Sequence, residues 1–221
     1  MASDTPGRDR RASDAKRLVA DAYDRIAQPF REHTAGVVSA RRQPYLDRLT
    51  ERLDSSSRVL DLGCGSGAPS TAWLSDRYRV LGVDISRGQL EIARRKVPAA
   101  SYVLGDMASV AFRPASFDAI AALYSTIHVP REEQPALLTR LHTFLTPGGR
   151  LFAVMGAKAW EGTEEDWLGM GSTMFWSHYD AQTNLSMIER AGFHVLRHDI
   201  EPDYIDDAGG AHLFVIAERP R

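Results

Sequence analysis

The sequence predicts an α/β domain in which a mostly parallel sheet carries helices on both faces. Short apolar runs alternate with segments whose apolar residues recur at helical spacing, which is the pattern of successive strand–helix–strand units. The run 117–123 is almost wholly apolar, as expected of a strand buried on both faces. The first strand ends in the glycine-rich turn Gly63–Gly67, where the backbone can pass close to a ligand.

Length and composition favour a single cytoplasmic domain. The chain has 221 residues, and we expect residues 15–221 to form one domain. The formal net charge of −2 provides no basic field that would attract nucleic acid. A single cysteine leaves no internal disulfide and fits a reducing cytoplasm. No apolar run is long enough to span a membrane and the N-terminus has no apolar signal core, so we expect no membrane partner. We expect the chain to be a monomer or a homodimer.

The N-terminal part predicts a tail followed by a helical cap. Residues 1–14 are polar and charged, which predicts a disordered tail. Helical spacing of apolar residues predicts a helix over 15–27, ended by Pro29. A second helix should be opened by Pro44. The cap of the domain would then cover residues 15–54.

The remaining elements are strands separated by helices, followed by a hairpin. The predicted strands are 59–62, 79–83, 102–104, 117–123, 151–155, 193–200 and 212–217. Ser86 and Gln89 form a capping box for the helix after the second strand. Asp207-Ala208-Gly209-Gly210 predicts a hairpin turn, so one of the last two strands must run antiparallel to the others. The segment 157–179 is rich in aromatic residues and is predicted as a loop on the substrate side.

The glycine turn allows two interpretations. Gly63, Gly65 and Ala68 satisfy the dinucleotide pattern G-x-G-x-x-G/A, which would make the chain an NAD-dependent oxidoreductase. Gly63-x-Gly65-x-Gly67 preceded by Asp61 fits a second pattern equally well. Residues after the next strands must decide, because ligands of open α/β sheets lie beyond the carboxyl ends of the strands.

The second pattern resembles that of the class I S-adenosylmethionine (SAM) methyltransferases. The resemblance rests on Val59-Leu60-Asp61-Leu62-Gly63-Cys64-Gly65-Ser66-Gly67, on Asp84 after the second strand and on Gly105-Asp106-Met107 after the third. A nicotinamide site does not require the third element, and no second core is evident for a substrate domain. The resemblance implies a Rossmann-like seven-stranded sheet of order 3-2-1-4-5-7-6 with strand 7 antiparallel.

The resemblance also implies which residues after the first strand meet the cofactor. The backbone of Gly63, Cys64 and Gly65 would approach the amino-acid part of SAM. Asp61 would orient the turn and help to hold the ammonium group. We expect Cys64 to contribute backbone and packing rather than chemistry.

Residues after the second and third strands would bind the adenosine part. Asp84 would accept hydrogen bonds from both ribose hydroxyls, and Ile85 would pack on the adenine. The alternative for Asp84 is an exposed acid that favours the start of a helix. Asp106 would accept from the adenine amino group while the Met107 N–H donates to a ring nitrogen.

The chemistry requires little from the protein. Methyl transfer from a sulfonium needs a positioned acceptor, and a general base only if the acceptor atom must lose a proton. His128 is the first candidate base because its reference pKa lies near neutrality, the alternative being a packing or capping role. His178 is the second candidate. The resemblance implies that Tyr23 faces the methyl end of the donor, the alternative being that it simply packs on the core. Tyr124 would line the same end and is a further catalytic candidate.

The aromatic segment predicts the acceptor. Trp160, Trp176, His178 and Tyr179 are predicted to bind it, because aromatic walls suit a flat, mostly apolar molecule. The competing account is that some of these rings close the core beneath the N-terminal helices. The sequence therefore predicts transfer of the methyl group of SAM to O, N or C of a small aromatic metabolite, leaving S-adenosylhomocysteine (SAH), with no metal. A non-catalytic SAM-binding regulatory protein is the alternative from another class.

Overall fold

The central sheet has seven strands, and their order is that predicted from the sequence. The computed structural model describes residues 5–34, 39–202 and 210–221. The strands of the described residues are β1 (Arg58–Leu62), β2 (Arg79–Asp84), β3 (Ser101–Leu104), β4 (Phe117–Leu123), β5 (Leu145–Gly156), β6 (Trp160–Glu164), β7 (Met174–His178), β8 (His194–Pro202) and β9 (Ala211–Glu218). Two of them, β6 and β7, lie outside this sheet. The sixth and seventh strands of the predicted sheet are β8 and β9. The observed order β3-β2-β1-β4-β5-β9-β8 therefore confirms the prediction, and β9 is antiparallel to both of its neighbours.

Helices cover both faces of this sheet. They are α1 (Thr5–Thr34), α2 (Ser39–Thr50), α3 (Ser70–Ser75), α4 (Arg87–Lys96), α5 (Gln134–Phe144) and α6 (Ala181–Arg190). One core packs α5 and α6 on the sheet, and the other packs α2 and α3 on the opposite face. No helix in the described ranges is both long and apolar enough to cross a membrane.

The N-terminal helices differ from the prediction at their ends. Helix α1 begins at Thr5 rather than at residue 15, so helix replaces the predicted tail over residues 5–14, while residues 1–4 lie outside the described ranges. It continues through Pro29, and α2 contains Pro44 in its interior instead of beginning there. Both prolines are exposed on the solvent side of their helices. Each removes one backbone hydrogen bond, and the packing of residues on the opposite side of the helix offsets that loss.

The predicted substrate-side loop contains a hairpin. Strands β6 and β7 form a separate two-stranded antiparallel sheet. Trp167 and Met174 are buried against Val19 and Ile26 of α1, so this segment closes a small core beneath that helix. The predicted turn at 207–210 falls almost entirely outside the described residues, although β8 and β9 pair as it requires.

Candidate active site

The glycine turn after β1 lies directly against the end of β4. Gly63 and Gly65 have φ values of +70° and +54°, which favour glycine. A Cβ atom on Gly63 would lie 2.2 Å from the Cβ of Ser125, so no larger residue fits there. The hydroxyl of Ser125 donates to the carbonyl of Leu62 at 2.8 Å. The turn is therefore fixed to β4 and presents its backbone at the edge of the sheet.

Asp84 connects the glycine turn to the loop after β2. Its two carboxylate oxygens accept from the backbone N–H groups of Gly65 and Ser86, each at 2.8 Å. Burial raises the pKa of Asp84 to about 6, although the backbone hydrogen bonds oppose the shift. Asp84 is thus buried and not an exposed acid at a helix start. The Ile85 backbone also donates to this carboxylate, which has about four acceptor positions, so one position remains for a further donor.

A lysine of α1 pairs with the acid after β3. Lys16 Nζ lies 2.8 Å from one oxygen of Asp106 and also forms an ion pair with Glu133. The other oxygen of Asp106 accepts from the backbone N–H of Ala108 at 2.8 Å. The N-terminal half of α1 is therefore attached to the loop that should meet the adenine.

Asp24 attaches the same helix, α1, to the segment that follows β2. Its carboxylate accepts from the hydroxyl of Ser86 at 2.6 Å and from the N–H of Gly88 at 2.8 Å, at the start of α4. A Cβ atom on Gly88 would lie 3.1 Å from the Asp24 carbonyl oxygen, which shows how closely the backbones approach. Helix α1 thus lies across the ends of the strands.

One cavity lies between α1 and the ends of β1 to β4. Its empty space totals about 1070 Å³, a volume that includes the solvent at its open mouth. Nine residues predicted to bind the cofactor line it: Tyr23, Gly63, Cys64, Gly65, Asp84, Ile85, Asp106, Met107 and Tyr124. His128 lines it as well.

Asp61 does not line this cavity, contrary to its predicted contact with the donor. The carboxylate is buried and accepts from the hydroxyl of Thr71 at 2.6 Å, which joins β1 to α3. Burial raises its pKa to about 6. Asp61 therefore shapes the turn from behind, where its charge attracts the nearby guanidinium of Arg42.

Cys64 contributes packing in the free protein. A Cβ atom on Gly82 of β2 would lie 2.7 Å from its sulfur, so the thiol fills the space left by that glycine. Burial raises the pKa of the thiol well above its usual value. The thiol is therefore protonated, and Cys64 is one of the residues that line the cavity described above.

Arg42 also lines the cavity, although no motif beside it in the sequence singles it out. Its guanidinium carbon lies 4.7 Å from the ring centre of Tyr124, and one nitrogen lies 3.3 Å from the hydroxyl of Ser70. Its Nε is buried and has no hydrogen-bond partner, and the charge of Asp61 acts on the guanidinium. Burial lowers the pKa of this guanidinium, but arginine stays charged near neutrality. The cavity thus contains a cation that can accept an anionic ligand group.

His128 has a defined protonation state. Its Nδ1 lies 2.7 Å from the carbonyl oxygen of Phe175, and its Nε2 lies 3.0 Å from the hydroxyl of Tyr23. Burial lowers its pKa to about 4, so the imidazole is neutral at pH 7. Both nitrogens are engaged, which differs from the accessible base that the sequence suggested.

The four residues predicted to bind the acceptor do not line this cavity. Trp160 is largely exposed on the hairpin, and Trp176 packs on the ring of His128 with 4.6 Å between the ring centres. His178 donates from Nδ1 to the Lys158 carbonyl at 2.6 Å, and Tyr179 packs against the core near Arg131. They lie elsewhere because the segment folds beneath and beside α1, where several of its rings close a core.

Comparisons with known proteins find a methyltransferase domain in this chain. Residues 59–149 match a family model described as a methyltransferase domain. The methyltransferase GfsG of Streptomyces halstedii is 40% identical over 115 residues, which are 48% of this chain and 40% of that protein. A malonyl-[acyl-carrier protein] O-methyltransferase of Erwinia pyrifoliae is 30% identical over 180 residues, or 80% of this chain and 64% of that protein. The chain thus spans less than two thirds of the length of either relative.

A solved structure supports the fold. A SAM-dependent methyltransferase of Methanosarcina mazei superimposes with a TM-score of 0.68 at 20% identity, covering 80% of this chain and 97% of that one. The dinucleotide interpretation of the glycine turn gains nothing from the family match, which covers the turn and both later acids. Residues 59–149, which carry the glycine turn and both later acids, thus match a methyltransferase domain, and the fold is that of a SAM-dependent methyltransferase.

Proposed function

We propose that the chain binds SAM in the cavity beneath α1 and transfers its methyl group to a small acceptor. The observation that carries this proposal is that the ends of four adjacent strands and one covering helix contribute to a single cavity. The three chemical parts of the donor need three different environments, and the residues after β1, β2 and β3 supply them in order along the sheet edge.

The adenosine part is assigned to Asp84, Asp106 and Met107. Asp84 accepts from the ribose at the acceptor position that its backbone donors leave free. Asp106 accepts from the adenine amino group beside Lys16, because a carboxylate oxygen can take more than one donor. Helix α1 then covers the adenosine, with Lys16 at one end and Asp24 at the other.

The methionine part is assigned to the glycine turn and Arg42. The guanidinium lies beside Tyr124 and Ser70, near the turn after β1, and it has an unused Nε donor. A carboxylate is the ligand group that best matches a buried guanidinium. Arg42 therefore holds the α-carboxylate of the donor.

The acceptor is assigned to the part of the cavity bordered by α1. Tyr23, Phe30 and Thr34 line it on that side, and Tyr124 lines it on the side of β4. The acceptor is a small molecule with an apolar portion, and both curated relatives reported above are methyltransferases, one of which transfers to oxygen.

A ligand-binding experiment tests the proposal. Isothermal titration calorimetry of the purified protein with SAM, SAH and NAD should give binding of the two sulfur compounds alone, and each should raise the melting temperature. Binding of NAD alone, or of none of the three, would contradict it. Tritium transfer from methyl-labelled SAM to fractionated small metabolites then separates an enzyme from a SAM-binding regulator, which would bind SAM and label nothing.

A further inference from the structure

His128 links the hairpin to α1 through two hydrogen bonds. Its Nδ1 meets the carbonyl oxygen of Phe175 in β7 at 2.7 Å, and its Nε2 meets the hydroxyl of Tyr23 in α1 at 3.0 Å. The imidazole is buried and covered by Trp176, whose ring centre lies 4.6 Å away. Two elements that are distant in sequence, α1 and β7, therefore determine the orientation of one imidazole.

Only one arrangement of protons satisfies this chain of contacts. A carbonyl oxygen can only accept, so Nδ1 carries the proton and donates to Phe175. The lone pair of Nε2 then accepts from the Tyr23 hydroxyl, which leaves the lone pairs of the phenol oxygen free. Burial and the negative charge of Asp84 raise the pKa of that phenol, so it stays protonated and keeps donating.

The position of Tyr23 indicates what its oxygen meets. The hydroxyl contacts His128, which follows β4, and the charge of Asp84 at the end of β2 acts on its pKa. In SAM the sulfonium joins the ribose to the methionine chain. A donor whose ribose is on Asp84 and whose carboxylate is on Arg42 therefore passes its sulfonium close to Tyr23.

We propose that His128 is a positioning residue, which fixes the Tyr23 hydroxyl so that its oxygen lone pairs face the sulfonium methyl, and that it does not act as the general base. This inference rests on the proposed SAM site. The methyl hydrogens of a sulfonium carry partial positive charge, so a phenol oxygen aimed at them stabilises the donor and orients the methyl group.

The same arrangement limits the acceptor. His128 contacts the Tyr23 hydroxyl, the Phe175 carbonyl and the Trp176 ring, and the charges that act on its pKa come from His178 and His212, so no carboxylate stabilises an imidazolium there. Of the described cavity residues, Asp84 and Asp106 already bind other donors. The reaction then takes an acceptor atom that needs no base, such as a carboxylate oxygen. Its lone pair forms the new bond to carbon, the C–S bond breaks with its electrons going to sulfur, and no proton moves.

Nuclear magnetic resonance tests the protonation state without any acceptor. In the protein saturated with SAH, the ¹⁵N shifts of His128 should report the Nδ1–H neutral tautomer, unchanged from pH 5.5 to 8. Titration near pH 6.5, or the Nε2–H tautomer, would overturn the inference.

Calorimetry with SAM and SAH tests the positioning role. SAM and SAH share every part except the methyl and the positive charge, so the ratio of their affinities isolates contacts to the sulfonium. Tyr23→Phe and His128→Phe should reduce the preference for SAM by about two- to fivefold with little change for SAH. His128→Gln keeps an acceptor for Tyr23 but no base, and it should restore the wild-type ratio.

The controls separate this inference from the proposed function. His194→Phe changes an exposed histidine on β8 and should leave both affinities unchanged. Retained SAH binding shows that a variant is folded. If neither compound binds the wild type, the proposed function fails. If both bind and Tyr23→Phe leaves their ratio unchanged, only this inference fails.

Discussion

Replacing Asp84 by asparagine should weaken every ligand that contains the ribose by the same factor. The carboxylate of Asp84 accepts from Gly65 and Ser86 in the free protein and is assigned the ribose. An asparagine has the same shape but offers one oxygen, and its NH₂ group meets a backbone N–H that the carboxylate used to satisfy. The variant thus loses acceptors for the ligand and misaligns the loop that holds it.

The magnitude follows from the hydrogen bonds lost. A hydrogen bond to a charged group contributes about 1.5–3 kcal/mol. With one ribose hydroxyl left without a charged acceptor, the loss should be about 2–3 kcal/mol, or about 30- to 150-fold in the dissociation constant.

Calorimetry with three ligands provides the assay. SAM, SAH and methylthioadenosine all contain the ribose, so Asp84→Asn should weaken the three alike. Asp76→Asn alters an exposed acid after α3 and serves as the matched control. A loss confined to SAM and SAH, or a loss below threefold for all three, would refute the ribose assignment.

Three further predictions concern the neighbouring contacts. Arg42→Met should weaken SAM and SAH by tenfold or more, about 1.4 kcal/mol, and should spare methylthioadenosine, which lacks the carboxylate; equal loss for all three in calorimetry would contradict this role. Burial raises the pKa of Asp84 to about 6, and the ionised carboxylate is the better acceptor. The affinity for SAH, measured by calorimetry at each pH, should therefore be constant above pH 7 and fall below pH 6. The Asp84→Asn variant should not show this dependence. Lys16→Met removes the partly buried pairs with Asp106 and Glu133, about 1 kcal/mol, and should lower the melting temperature by about 2–4 °C, whereas Lys158→Met, at an exposed site, should not; equal melting temperatures would show that Lys16 does not hold α1 in place.

The residues at the strand ends could be predicted because their signals are local. A glycine turn after an apolar run, and an acid directly after each of the next two strands, place Gly65, Asp84 and Asp106 at one sheet edge once the strand order is known. The sheet order itself followed from the resemblance and from the antiparallel closing pair. Each of these inferences depends on residues within a few positions of one another.

Residues that reach the cavity from the cap could not be found in this way. Arg42 and Lys16 are two of many basic residues in amphipathic helices, and nothing beside them in sequence distinguishes them. Their positions depend on where α1 and α2 cross the sheet, which is set by contacts such as that between Asp24 and Ser86, 62 positions apart. The assignment of Asp61 failed for a related reason, since its partner Thr71 lies behind the turn.

The aromatic segment shows a different limit. Aromatic residues at a substrate wall and aromatic residues in a small core have the same composition, so Trp167 and Trp176 could belong to either. The structure places both rings in contact beneath α1, with 5.2 Å between their centres. His128 looked like a free base because the sequence does not reveal that Phe175 and Tyr23 occupy its two nitrogens.

A crystal structure of the protein with SAH tests the central claim most directly. Density for SAH should lie beneath α1, with the ribose hydroxyls within hydrogen-bond distance of Asp84, the adenine beside Asp106 and the carboxylate of the ligand on Arg42. Density for SAH anywhere else on the molecule, or an SAH in this cavity whose ribose lies away from Asp84, would contradict it.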